Sequence, residues 1–301
     1  MELPVRYRIT HHTTYRYITS DGNSAPIRLN PHILRLCPRN DGAQWLEHFE
    51  IAIAPTPTAQ HYFLDTCGNT CLQITFDSPI EDWTIDTTSD VRTLRENPFN
   101  YLSTPWAVQL PIDYPSSLAH LLQPYLSMPI GTGVAAENSP DVVLFAQGVR
   151  QVANNNVGYF LTALVQKISE QFDYQQRLEG MPLPAEVTLQ QRAGSCRDFT
   201  VLFMAACRAV GLAARFVSGY QEGDLESDQP NDLHAWAEVY IPGGGWRGFD
   251  PTLGLAVGDR HVAIAAAADP KQAAPVSGTL RSASQAKTLL ESKILLRESL
   301  E

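Results

Sequence analysis

The sequence of 301 residues is short of several things, and each shortage closes off a class of function. No stretch approaches the ~18 consecutive apolar residues that a transmembrane helix needs. Residues 1–17 are rich in Arg, His and Thr and lack the apolar core of a secretory signal. Cations are outnumbered: 22 Lys and Arg against 32 Asp and Glu leave a formal charge of −10. So acidic a chain has no generic attraction to nucleic acid or anionic lipid, and no local basic run overrides this. Cysteine is sparse and odd in number, at Cys37, Cys67, Cys71, Cys196 and Cys207. That set argues against a disulfide framework and for a reducing, cytoplasmic setting. Neither a P-loop nor a dinucleotide-binding glycine pattern occurs, and there are no internal repeats.

What remains is an ordinary globular composition, 44% hydrophobic, long enough for about two domains. Residues 1–95 alternate in short β-like runs rich in Tyr and Thr, punctuated by turns such as Asp65-Thr66-Cys67-Gly68-Asn69-Thr70. They predict a β-sandwich. Residues 96–150 form a Pro-rich, helical connector, with helices expected near 117–125 and 141–153, the latter capped by Asp141. A core follows over 151–301, with a C-terminal extension. Its first helix is expected near 158–172. A second carries Phe199, Leu202, Phe203, Ala206 and Val210 at helical spacing and ends at Gly211. Strands are expected over 214–220, 234–241 and 246–250. The end of the chain, 289–300, reads as a helix or a disordered tail. The fold class is therefore α+β.

Chemistry concentrates in the core. Cys196 sits at the first turn of the second helix, behind Gly194 and Ser195, where unpaired N–H groups and the helix dipole favour a thiolate. Two readings stand on local grounds: a reactive thiol, or a small residue that packs. Cys207, deep in the same helix, reads as packing. His234 opens a strand and alternates with Trp236, Glu238 and Tyr240, away from the apolar Ala235, Ala237, Val239 and Ile241. Asp250 ends the next strand. A hairpin symmetric about Pro242-Gly243-Gly244-Gly245 places Ala237 opposite Asp250, with His234 about 10 Å further along at ~3.3 Å per residue. A bulge in the glycines would shift that register. Nucleophile, base and orienter together are what acyl transfer by a thiol requires. Asp198 reads as a structural or dipole-favouring residue, and Arg215 as structural. Asp224, Glu226, Asp228 and Asp232 fail the EF-hand spacing, with Gln229 and Ala235 where the glycine and bidentate glutamate belong, and read as a solvated flap. Cys67, Cys71 and His61 lack a fourth partner for zinc and read as turn and packing residues. No metal site is assigned.

Several blocks in order now resemble the transglutaminase-like superfamily of papain-fold cysteine enzymes, in its bacterial form. They are Gly194-Ser195-Cys196-Arg197-Asp198-Phe199, Cys207-Arg208, Gly211-Leu212-Ala213-Ala214-Arg215, Val217-Ser218-Gly219-Tyr220, His234-Ala235-Trp236-Ala237-Glu238-Val239-Tyr240, Gly245-Trp246 and Asp250-Pro251-Thr252. Tyr15, Arg35-Leu36-Cys37-Pro38-Arg39 and residues 65–69 resemble the β-domain that precedes this core in bacterial members. The resemblance implies a helix bearing the nucleophile packed on an antiparallel sheet. It implies Cys196 as nucleophile, His234 as general acid/base and Asp250 as orienter, with no organic cofactor. The Cys196 N–H is expected to donate to an oxyanion, and Trp236 and Tyr220 to line the substrate site. The expected substrate is a peptide, protein or small amide, cleaved by water or transferred to an amine, with hydrolysis favoured. The resemblance also implies a functional link to ATP-grasp ligases. The rival reading is a binding module on the same fold.

Overall fold

The structure, a computed structural model, describes residues 4–127, 139–177, 180–223, 233–281 and 286–299. Six strands come first: β1 (Arg6–Ile18), β2 (His32–Leu34), β3 (Gln44–Ala54), β4 (Ala59–Leu64), β5 (Thr70–Thr75) and β6 (Asp82–Thr93). The helices α1 (Ser116–Leu126), α2 (Pro140–Val152) and α3 (Val157–Gln171) follow, then a short β7 (Asp173–Tyr174), α4 (Ala185–Gln191) and β8 (Ala193–Gly194). The central helix α5 (Cys196–Ala209) leads into β9 (Ala214–Gln221), β10 (His234–Ile241), β11 (Gly245–Asp250), β12 (Leu255–Ala256) and β13 (His261–Ala267). The chain closes with β14 (Val276–Ser277) and β15 (Lys287–Glu298). Among the described residues no helix is long and apolar enough to cross a membrane.

The first six strands form two antiparallel sheets, β15-β1-β6-β3 and β14-β2-β5-β4, around a core that includes Tyr7, Ile9, Leu34, Ile74, Trp83 and Ile85. This is the expected sandwich, but its strands do not all come from the N-terminus. The segment read as a helix or a tail is β15, paired with β1 from Tyr7↔Glu298 to Ile18↔Lys287. Long-range pairing has overridden local pattern there. The two runs expected over 6–10 and 13–17 are one continuous strand, β1. In α2, Ser139 occupies the cap, Pro140 opens the helix and Asp141 lies in the first turn, so Asp141 is a dipole-favouring residue and not the cap.

The second body is a five-stranded antiparallel sheet, β12-β11-β10-β9-β13, packed on α5. Phe199, Leu202, Phe203 and Ala206 of α5 meet Ala235, Ala237 and Val239 in one core, to which α2 and α3 add Ala146, Phe160, Leu161 and Leu164. Gly211, at φ +84°, ends α5 as expected.

The two bodies meet along β13, an edge strand whose outer backbone groups would otherwise be unpaired. Two buried amide side chains of the sandwich close that edge. Asn69 Nδ2 donates to Ala266 O at 3.0 Å while Ala266 N donates to Asn69 Oδ1 at 2.9 Å. Gln44 does the same at Ala263, over 2.9 and 2.7 Å. The Asp65 turn holds Asn69 in place, accepting from the N–H groups of Cys67 and Asn69. Replacing Asn69 by the isosteric Leu strands buried donors and acceptors, each at a cost of about 1–3 kcal/mol. Asn69→Leu is therefore expected to lower the unfolding free energy by at least ~2 kcal/mol in urea titrations; a loss within error would show that Asn69 is not needed at the contact.

Candidate active site

The site begins at the N-terminus of α5. Asp198 caps the turn: its Oδ2 accepts from Ser195 N and Ser195 Oγ, both at 2.8 Å, and its Oδ1 accepts from Leu183 N and Arg177. A Cβ on Gly194 would lie 2.8 Å from Asp198 Cβ, so only glycine lets the strand pass this close. Asp198 is thus a structural anchor, as its place in the first turn suggests. The arrangement leaves Cys196 as the first helical residue, with its own N–H and that of Arg197 lacking an i−4 carbonyl.

Across from it lies His234, the first residue of β10. The β10–β11 register is Ala237↔Phe249 and Ile241↔Gly245, one residue away from the symmetric hairpin. The difference is decisive, because a one-residue slip reverses every side chain. In the symmetric register Asp250 would share the face of Ala237, which packs on α5. In the observed one it is level with Trp236 and shares the face of His234, a diagonal neighbour within side-chain reach. His234 Nε2 donates to Asp250 Oδ2 at 2.6 Å. Cys196 lies close enough to His234 to help raise it, and both side chains line one cavity. His234 is therefore hydrogen-bonded to Asp250 on one side and faces the cavity it shares with Cys196 on the other.

Charge follows geometry. Burial alone would push the His234 imidazole down; the Asp250 carboxylate, and then Cys196, overcome this and raise it to about 10. Asp250 has no exposure, and burial pushes it up. His234 and His261 reverse this and hold it well below the usual carboxylate range. His261, which sequence reading passed over, donates from Nε2 to Asp250 Oδ2 at 3.0 Å. Its signal was one polar residue opening the otherwise apolar and fully buried run of β13.

His234, Asp250 and His261 are also a ligand-like cluster, with candidate atoms within 4.8 Å of one another. Tetrahedral zinc with bonds of ~2.0–2.1 Å separates its ligands by roughly 3.3 Å. The 2.6 and 3.0 Å contacts at a single oxygen are hydrogen-bond spacings instead.

Cys196 and His234 open onto a cavity of about 340 Å³. Its walls come from both bodies: His11, Tyr15 and Leu36 from the sandwich, Leu290 and Ser292 from β15, and Arg177, Met181 and Phe216 from the core. His11 is held between Tyr220 Oη, Ser292 Oγ and Thr13 Oγ1, and burial lowers it to about 4, so it is neutral at pH 7. Two expected substrate contacts are corrected. Tyr220 is buried behind His11 in the sandwich core, and Trp236 is buried beside His234 and His261; neither lines the cavity. Arg215 pairs with Glu238 at 2.6 Å, Cys207 is buried within α5, and Cys67 belongs to the Asp65 turn. The acidic run Asp224, Glu226, Asp228 and Asp232 lies outside the described residues.

Comparison with known proteins agrees with this architecture. Residues 144–251 match the transglutaminase-like superfamily, and residues 7–92 match the bacterial transglutaminase-like N-terminal region. Residues 144–251 thus carry a transglutaminase-like core, behind a bacterial transglutaminase-like N-terminal domain. An uncharacterized protein of Mycobacterium tuberculosis is 29% identical, over 91% of this chain and 87% of its own length. A protein-glutamine gamma-glutamyltransferase of Pseudomonas aeruginosa is 30% identical over 107 residues, 31% of this chain and 16% of that one. The crystal structure of a candidate cysteine protease from Cytophaga hutchinsonii superposes with a TM-score of 0.72 at 20% identity, covering 100% of this chain and 92% of that one, a likeness of fold.

In this transglutaminase-like site the His–Asp pair sets a pH window. His234 is raised above its unfolded value of ~6.5, so its contribution to stability is complete below that value and lost as pH climbs through about 10. Asp250 is depressed below its unfolded ~3.9, so its contribution is complete above that value and lost as pH falls toward the lowered one. Urea unfolding of the wild type should therefore weaken between pH 7 and 10 relative to Asp250→Asn; a gap that widens over that range would contradict the pairing.

Proposed function

We propose that this protein is a cysteine-dependent acyl-transfer enzyme acting on carboxamide or peptide bonds, with water as the preferred acceptor. The observation that carries the reading is the hydrogen-bonded His234–Asp250 pair beside Cys196 on the wall of a cavity of ligand size. With the proton of the pair already on His234, Sγ attacks the acyl carbon. The C–N bond then breaks as the imidazolium gives its proton to the departing nitrogen, leaving a thioester. Water yields a proton to neutral His234 and adds to the thioester. The C–S bond breaks, the acid leaves, and thiolate and imidazolium are restored. Asp250 keeps the imidazole oriented and its charge compensated through each transfer. The Cys196 N–H, unpaired within the helix, is the oxyanion donor.

Two features support the choice of substrate and acceptor. At about 340 Å³ the cavity is at the small end of ligand pockets and walled by both bodies, which suits a short peptide or a side-chain amide over a folded protein face. Cys196 and His234 both keep some exposure to solvent, so water reaches the thioester; efficient transfer to an amine requires its exclusion. Protein-glutamine transfer is the second reading, favoured by the local similarity to the Pseudomonas aeruginosa enzyme. All five cysteines are unpaired, which supports a cytoplasmic location.

Alkylation of Cys196 by iodoacetamide across pH, in wild type and His234→Ala, tests the site without a substrate. Faster alkylation at neutral pH in wild type than in His234→Ala is expected. An ordinary thiol indifferent to His234→Ala would overturn the enzyme reading in favour of a binding module. On a panel of short peptide amides, Cys196→Ala should abolish turnover and His234→Ala should lower it about 10²–10⁴-fold. With a primary amine present, free acid should remain the main product.

A further inference from the structure

We propose that His261 is a positioning residue of this site: it holds the Asp250 carboxylate in register for His234, and through it the sandwich domain is mechanically tied to the triad. The proposal rests on the thiol-catalysis reading above. Asp250 has four acceptor directions, and all are used. Oδ1 accepts from Thr252 N at 2.9 Å and Leu253 N at 3.2 Å, and Oδ2 accepts from His234 at 2.6 Å and His261 at 3.0 Å. An ionised carboxylate has no proton to offer, so the proton in each of the last two contacts belongs to the imidazole.

The two histidines on that oxygen are not equivalent. His234 is raised and carries charge. His261 is lowered by burial, with His234 and Arg260 adding to the effect against the pull of Asp250. His261 is thus a neutral donor with its proton on Nε2. Its Nδ1 is buried and has no hydrogen-bond partner among the described residues, the arrangement a bare lone pair requires. The groups around it are accounted for: Asp250 on β11, His234 on β10, the edge of Trp236 at 5.1 Å between ring centroids, and neighbouring Arg260, whose charge is taken by Glu222 at 2.7 Å. A neutral donor does what a second cation would not. It keeps the carboxylate ionised and pinned when His234 gives its proton away, without competing for the charge that Asp250 is there to balance.

The position of His261 is imposed from outside the core. It is the first residue of β13, whose outer edge is held by Gln44 and Asn69 of the sandwich. On its inner side β13 runs against β9, where a Cβ on Gly219 would lie 2.2 Å from Val262 O and 2.6 Å from the Trp236 ring. Packing on both sides therefore fixes the strand that carries the imidazole.

The test compares His261→Gln, His261→Asn and His261→Leu by iodoacetamide alkylation of Cys196 against pH, with turnover of a peptide amide measured alongside. Gln can bring a donor to the place of Nε2, Asn falls about one bond short, and Leu has none. With Leu and Asn, the Asp250 carboxylate loses the donor that aims it at His234, the imidazolium is less well stabilised, and alkylation of Cys196 needs a higher pH. The acid limb should then move up by about one pH unit, a tenfold slower reaction at fixed pH on that limb. With Gln it should stay within a few tenths of a unit of wild type. If Leu does not fold, the Gln–Asn contrast carries the test. Profiles of Gln and Asn that coincide, or that of a folded Leu variant lying on wild type, would overturn the role of His261. A wild-type thiol indifferent to His234→Ala would instead overturn the underlying reading, and the two failures are distinguishable in one data set.

Discussion

A carboxylate with no access to water is the constraint around which this site is arranged. An isolated ion in the position of Asp250 would be far too costly to bury, and every lone pair must find a donor. Two donors are local, the N–H groups of Thr252 and Leu253 in the turn that follows β11. The other two come from separate strands, His234 on β10 and His261 on β13. Satisfying one anion therefore requires three strands of the sheet to hold their relative positions. The strong polarisation of His234 is a consequence of that requirement.

The same requirement explains why the sandwich matters to chemistry it does not perform. An edge strand with unpaired backbone groups is a poor platform for a hydrogen bond whose length matters. Gln44 and Asn69 supply to β13 what a sixth strand would have supplied, and the Asp65 turn orients Asn69. The return of β15 to pair with β1 places Leu290 and Ser292 on the cavity wall, so both ends of the described chain meet at the site.

Much of this was legible in the residues. The helical spacing from Phe199 to Val210, the glycine that ends it, and the strand bearing His234 are local patterns, and local patterns are what a single sequence reports best. The hairpin was legible as a hairpin, but its register was not. Three consecutive glycines can turn in more than one way, and a slip of one residue decides whether Asp250 faces His234 or α5. Tyr220 and Trp236 lie in motif positions beside the triad, yet burial by the sandwich and by β13 removes them from the cavity. His261 and β15 were hidden for one reason: what defines each is a partner on another strand that only the assembled sheets bring near. His261 contacts a residue only eleven positions earlier but three strands away across the sheet, and β15 has its partner near the start of the chain.

This dependence on distant partners also bears on how the protein works as a unit. A core cut free near residue 100 would lose Gln44 and Asn69 from the edge of β13, and the β1 surface on which β15 lies. It would also lose the His11, Tyr15 and Leu36 side of the cavity. Substrate recognition and the electrostatics of the nucleophile therefore cannot be assigned to one body each. Residues of the sandwich wall the cavity, and the same sandwich, through β13, fixes the histidine that helps keep Asp250 ionised. The interface between the two bodies is therefore part of the candidate site and not a linker beside it.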